Sequence, residues 1–139
     1  MSVFSEVDPC FQPFSPVVAT WFQEVFADPT AVQREAWPVI ASGSHTLMLA
    51  PTGSGKTLAS FLVAINRIMF SAPAAESLGD GAPGVHTLYI SPLKALGVDI
   101  ERNLRAPIAG VRVVAEREGI AHRVPTIGIR SGDTPSQER

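Results

Sequence analysis

Between residues 15 and 26 the apolar positions Val17, Val18, Trp21, Phe22, Val25 and Phe26 recur at helical spacing, forming one face of an amphipathic helix opened by Ser15 and Pro16. A second helix is predicted from the N-cap candidate Thr30 to Ala41, with Ala36, Trp37 and Ile40 inward. Pro38 should kink or break it and Gly43 should stop it. Thr46 to Ala50 then form a short apolar run. A stretch rich in Gly and Ser follows, and after it Leu58, Phe61, Leu62, Ile65, Ile68 and Met69 repeat with helical period, so the pattern predicts strand, loop, helix. Residues 71–85 mix Ala, Pro, Gly and Ser without periodicity and read as a surface loop. Beyond them the pattern predicts a strand over 86–91, helices over 94–104 and 107–118, and a third strand over 126–130. Strands alternating with helices imply an α/β fold with a parallel sheet covered on both faces. The predicted organisation is thus one domain in four parts: helices in 1–44, a strand–loop–helix unit in 45–70, the 71–85 loop, and the strand and loop region 86–139.

Composition changes this picture little. With 139 residues, 45% apolar and 17% charged at a net charge of −2, the chain has the material for one globular core and lacks the profile of a disordered segment. No apolar stretch approaches the ~20 residues of a membrane-spanning helix. The start MSVFSEVDPC lacks a basic region followed by an apolar one, so a cytosolic protein is expected. Cys10, the single cysteine, has no disulfide partner within the chain and reads as a half-buried or surface thiol. Residues 1–45 carry five acids against Arg34, and residues 46–139 carry ten bases against eight acids, so any attraction for a polyanion belongs to the second part. The bias is weak, and Arg102, Arg105, Arg112, Arg117 and Arg123 read as solvated helix faces. His45, His86 and His122 have no metal-ligand spacing.

The candidate chemistry lies in Ala50, Pro51, Thr52, Gly53, Ser54, Gly55, Lys56 and Thr57, which match the phosphate-loop pattern GxxxxGK[ST] with Ala50 in place of the first glycine. Glycines let successive backbone amides turn toward a phosphate, and the following helix directs the positive end of its dipole there. Lys56 can neutralise β and γ oxygens, and Thr57 can offer a hydroxyl to Mg2+. The expected cofactors are therefore ATP and Mg2+.

Together PTAVQ and APTGSGKT resemble the superfamily two helicases of the DEAD/DEAH type. FSPVVATWF, FADPTAVQREAWPVI, AINRI, SPLKALGVDIERNL and IRSGDTPSQER are similar to the large helicase-related (Lhr) family. The resemblance implies an incomplete first RecA-like domain of a P-loop NTPase. By position it makes Gln33 the glutamine that reads adenine, with Phe11 or Phe14 as the aromatic near the base. It makes Pro92 and Lys94, in SPLKAL, part of a loop that grips a nucleic-acid backbone, and Arg130 and Gly132 a further contact with the strand. The implied partner is a single strand of DNA or a DNA/RNA hybrid. A small-molecule kinase on a P-loop scaffold and a noncatalytic nucleotide-binding protein remain alternatives. The family supplies its magnesium-holding acid and water-orienting carboxylate from a DExH sequence, which these 139 residues do not contain. The expectation is a fragment that hydrolyses no ATP alone and is poorly stable, because its strands lack their neighbours.

Overall fold

The structure is a computed structural model that describes residues 8–71, 84–92, 94–135 and 137; of Lys94 and Ala95 it describes the backbone only. The 71–85 loop falls largely outside the described residues, as do the first seven residues and Leu93 of SPLKAL.

Among the described residues a 3-10 turn at Pro9–Phe11 precedes four helices, α1 (Pro16–Val25), α2 (Ala31–Ala41), α3 (Lys56–Phe70) and α4 (Lys94–Arg117). The first two follow the sequence pattern. Pro16 sits in the first turn of α1, where its missing N–H is no loss, and Val17, Val18, Trp21 and Phe22 are buried. Val25 and Phe26, expected on the same face, are 57% and 39% exposed because the helix ends there and turns extended. In α2, Thr30 caps the first turn and Gly43, at φ +83°, receives the chain as it leaves the last.

Of the two effects expected of Pro38, a kink or a break, the break is absent, since α2 runs to Ala41 with Pro38 inside it. Pro107 lies inside one continuous helix over Lys94–Arg117 where two helices were expected. The reason is the buried seam on each helix. Trp37 is fully buried beside Pro38, and Ile108, Val111, Val114 and Ala115 continue the inward face of α4 beyond Pro107. Apolar burial at ~1.5 to 3 kcal/mol per large side chain outweighs one missing backbone hydrogen bond.

The core draws on all four helices, and its aromatic part gathers where α1, α2 and the 3-10 turn meet. Phe14 and Phe22 stand edge-on to Trp37 with centroids 5.0 and 5.3 Å away, and Phe11 lies 5.6 Å from the same ring. Cys10 belongs to this cluster at 5% exposure, which corrects the half-buried or surface reading; burial pushes its thiol pKa up and keeps it an unreactive apolar filler. α2 runs beside α3 and α1 beside α4, the latter pair tied by Arg117 of α4 donating to Glu24 of α1 at 2.7 Å.

The expected parallel sheet is not present among the described residues. Residues 46–50, 86–91 and 126–130 belong to no helix and form no strand ladder. Leu47, Leu49, Leu88 and Ile90 are 75 to 86% exposed. Strand preference is a preference for a pleated surface packed on its neighbours, so an apolar run without a partner makes no strand. The pairing that defines a strand is missing among the described residues. Of the surface arginines, Arg102, Arg105, Arg112 and Arg117 do lie exposed on α4, and Arg105, Arg112 and Arg117 pair with nearby glutamates. Arg123 follows the helix.

The α1–α4 crossing has one tight point. A Cβ built on Gly110 would overlap the Trp21 indole nitrogen and stand 2.7 Å from its Cδ1, whereas one on Gly97 of the same helix meets nothing closer than Ile129 Cγ2 at 3.9 Å. Alanine favours a helix over glycine by ~1 kcal/mol, and overpacking costs roughly 1 to 3 kcal/mol. Gly110→Ala should therefore lower the thermal midpoint while Gly97→Ala leaves it unchanged or raises it. Paired melting curves would check this, and equal midpoints for the two variants would refute the close crossing.

Candidate functional site

The phosphate loop, residues 50–55, links the apolar run 46–50 to α3, and its shape follows from two left-handed glycines. Gly53 and Gly55 stand at φ +82° and +85°, a region that a residue with a Cβ enters only at a cost of ~1 kcal/mol or more. Gly55 is the N-cap of α3 and has no side chain to satisfy the helix's first amides, so those N–H groups are left at the loop's inner end. Lys56, the first residue of α3, folds its ammonium over the loop and donates to the carbonyls of Ala50 and, at 2.6 Å, Pro51. Thr57 is exposed beside it. The Ser54 hydroxyl is buried and has no hydrogen-bond partner.

The loop's other side is held from α2. The Thr30 hydroxyl donates to the Ser54 carbonyl at 2.8 Å, and Gln33 Nε2 donates to the Gly55 carbonyl at 3.4 Å. These residues also bond each other: Gln33 Oε1 accepts from the Thr30 amide at 2.9 Å and Thr30 Oγ1 accepts from the Gln33 amide at 3.4 Å, a reciprocal capping box. Gln33 is only 4% exposed, the single buried polar side chain among the described residues. Contact is so close that a Cβ on Gly55 would lie 2.6 Å from Gln33 Nε2. One cap therefore closes α2 and grips two consecutive loop carbonyls.

Thr30 was legible from sequence as a cap but not as a loop contact. The signal was there: T-x-x-Q marks a capping box, and its position ahead of a glycine loop leaves both side chains free to bond outward. Phe11 and Phe14, offered as base-stacking aromatics, are 3% and 8% exposed and spend their faces on Trp37.

Beside the loop a cleft of about 270 Å³ is lined by Lys56, Thr57, Ser60, Phe61, residues 87–89 and Ile100. Tyr89 closes one side with its ring 5.4 Å from Phe61. Ile100 brings α4 to this cleft. Pro92 is exposed, and Lys94 opens α4. The second candidate contact, Arg130 and Gly132, lies in a turn where the Ser131 amide donates to Thr134 Oγ1 at 2.9 Å; the Arg130 guanidinium is exposed and rests on the Ile129 carbonyl. Ile129 faces Gly97, which places this turn next to the start of α4.

No group of His, Cys, Asp and Glu among the described residues could hold a metal ion, and no helix there is long and apolar enough to cross a membrane. The model of the DEAD/DEAH box helicases matches residues 30–127. Over 126 residues the chain is 52% identical to a Lhr helicase/probable uracil glycosylase of Mycolicibacterium smegmatis and 45% identical to the Lhr helicase/uracil glycosylase of Escherichia coli, in each case 91% of this chain and 8% of the other. An ATP-dependent helicase Lhr-Core of Methanothermobacter thermautotrophicus is 44% identical over 89% of the chain and 14% of its own length. A solved structure of Mycobacterium smegmatis Lhr bound to ssDNA and AMP-PNP superposes with a TM-score of 0.76 at 47% identity, over 93% of this chain and 15% of that one. That likeness gives the RecA-like P-loop fold despite the unpaired strands. The chain spans a small part of the relatives it matches, and it belongs to the DEAD/DEAH box helicase family, with Lhr helicases among its relatives.

Proposed function

We propose that this chain is the ATP-binding portion of an ATP-dependent nucleic-acid helicase or translocase of the Lhr type. The observation that carries the reading is the phosphate loop itself, with two left-handed glycines, a lysine folded over it and a buried unpartnered serine hydroxyl inside it. These features fit a polyphosphate. Thr52, Gly53, Ser54 and Gly55 would present amides to it with Pro51, which has no N–H, opening the loop, Lys56 would exchange its carbonyl partners for phosphate oxygens, and Thr57 would ligate Mg2+ with ATP. Bound Mg2+ would neutralise phosphate charge; the chain's own part is to orient the phosphates and shield the loop.

Gln33 in this reading serves two ends. Its amide is engaged with Thr30 and Gly55, yet Oε1 keeps a second lone pair and Nε2 a second N–H, enough to meet the edge of adenine. Pro92 and Lys94 at the start of α4, with Arg130 and Gly132 in the neighbouring turn, would hold the backbone of a single strand, DNA or one strand of a DNA/RNA hybrid. Their closeness through Gly97 and Ile129 supports one continuous contact line. Hydrolysis requires carboxylates absent from these 139 residues, so the chain alone should bind ATP and release no phosphate. A cytosolic location belongs to the same proposal.

Binding of a fluorescent ATP analogue to the 139-residue chain tests the nucleotide site. Lys56→Ala should weaken binding about ten- to hundredfold, the equivalent of ~1.5 to 3 kcal/mol for hydrogen bonds to a charged group, without loss of helical signal. Gln33→Ala should reduce the preference for ATP over GTP as well as overall affinity; an unchanged ranking would confine Gln33 to supporting the loop. Unchanged binding by Lys56→Ala would dismiss the site.

The nucleic-acid contact is tested by titrating single-stranded DNA oligonucleotides of several sequences at a series of salt concentrations. Lys94→Ala should weaken all of them alike and lower the log–log salt slope by roughly 0.7, one phosphate contact on a single strand. Loss confined to one sequence would contradict a backbone role.

A further inference from the structure

The last turn of α3 carries two side chains that reach away from their own helix. Asn66 Oδ1 accepts from the Ser15 amide at 2.8 Å and its Nδ2 donates to the Pro13 carbonyl at 3.4 Å, which fixes the start of α1. Arg67 Nη2 donates to the carbonyls of Ile40 and Ala41, at 3.1 and 2.8 Å, which are terminal acceptors of α2. A guanidinium at a helix C-terminus meets carbonyls that have no partner within the helix and sits at the negative end of its dipole, here adding to the Gly43 amide that donates to the Ile40 carbonyl at 3.0 Å.

The placement of these bonds makes them more than a cap. α2 and α3 run parallel, and they are joined at both ends by polar contacts: Thr30 and Gln33 at the start of α2 hold the Ser54 and Gly55 carbonyls just before α3, and Arg67 near the end of α3 holds the end of α2. Between these ends lie Trp37 and Leu62, both fully buried. A helix held at two ends cannot rotate about its contact with a neighbour or slide along it. Without the Arg67 bonds, only the cap itself and apolar packing, which is not directional, would set the register of α2 on α3. The cap tolerates little slip, because Gln33 Nε2 already reaches Gly55 at 3.4 Å, near the limit of a hydrogen bond.

We propose that Arg67 is a positioning residue for the phosphate loop, acting from the far end of α3 by fixing α2 so that Thr30 and Gln33 grip the Ser54 and Gly55 carbonyls. It deepens the reading of residues 50–57 as the ATP site and depends on it only for the identity of what the loop holds. Arg67 touches no candidate phosphate contact, so its effect must travel through α2.

The test is residue-level amide hydrogen exchange on the 139-residue chain and its Arg67→Gln and Arg67→Lys variants, with binding of the fluorescent ATP analogue measured in parallel. Arg67→Gln should speed exchange at the hydrogen-bonded amides of Thr30, Gln33 and Ser54 about tenfold while amides in the middle of α1 and α4 keep their rates. Arg67→Lys, which can still donate to one carbonyl, should restore most of the protection. ATP affinity should fall in the same order, about tenfold for Arg67→Gln. Faster exchange restricted to residues 40–43 would reduce Arg67 to a local cap and overturn the proposal, and a uniform rise across all helices would do the same by making its role one of general stability. A wild-type chain that binds no ATP yet shows the expected exchange pattern would uphold Arg67 as the loop's positioning residue and dismiss the nucleotide reading instead.

Discussion

Two carbonyl groups organise this protein. A loop built to turn amides toward an anion must turn carbonyls the other way, and those oxygens need donors. The Ser54 carbonyl finds one on α2, in the hydroxyl of Thr30, and the Gly55 carbonyl, which also accepts from the Ala59 amide of α3 at 2.9 Å, takes a second from the amide of Gln33. The same side chains close the first turn of α2, so the start of one helix and the shape of the phosphate loop depend on the same few bonds. The buried position of Gln33 follows: a polar side chain at 4% exposure is tolerated because both ends of its amide are bonded. The missing Cβ at Gly55 has the same origin, since the Gln33 amide stands where that carbon would go.

From that junction the rest of the fold can be followed along α3. Its first residue covers the loop, its middle buries Leu62 and Ile65 in the core, and its last turn ties down α1 and α2 through Asn66 and Arg67. α1 in turn carries α4, through the Trp21 and Gly110 crossing and the Glu24 and Arg117 pair, and α4 brings Ile100 back to the cleft beside Lys56. The helices thus form a closed circuit around the loop. Two of the runs outside the helices rest on this circuit, through Tyr89 on Phe61 and Ile127 on the core.

Helix positions were legible because each helix has a buried face of several residues at regular spacing, and the phosphate loop was legible because glycine, lysine and threonine at that spacing have few other uses. Pro107 misled, and Pro38 makes no break, for the same physical reason. Pro38 and Pro107 each cost their helix one hydrogen bond, a local term, while the seams through Trp37 and Val111 are tertiary and invisible to a rule about single residues. The strands misled in the opposite direction. Leu47, Leu49, Leu88 and Ile90 have the right local preference, but pairing is a property of two segments, and no periodicity in one of them reports whether the other is there. Cys10 was misjudged because a lone cysteine carries no pattern, and only the aromatic cluster around it buries it. Thr30 and Arg67 lay in plain view as a cap and as a helix-end arginine; what the sequence did not disclose was that each reaches across to another element.

A double-mutant cycle on thermal or denaturant unfolding, with Gly55→Ala, Gln33→Ala and the pair, tests most directly whether the loop is held from α2. Alanine at position 55 meets two penalties, its left-handed backbone and the Gln33 amide 2.6 Å from its Cβ. Removing the Gln33 side chain relieves the second and leaves the first. The double variant should therefore be more stable than the sum of the single losses predicts, by at least ~0.5 kcal/mol, as expected for residues in direct contact. Losses that add to within ~0.3 kcal/mol would mean that Gln33 and Gly55 do not touch and that the loop keeps its shape without α2.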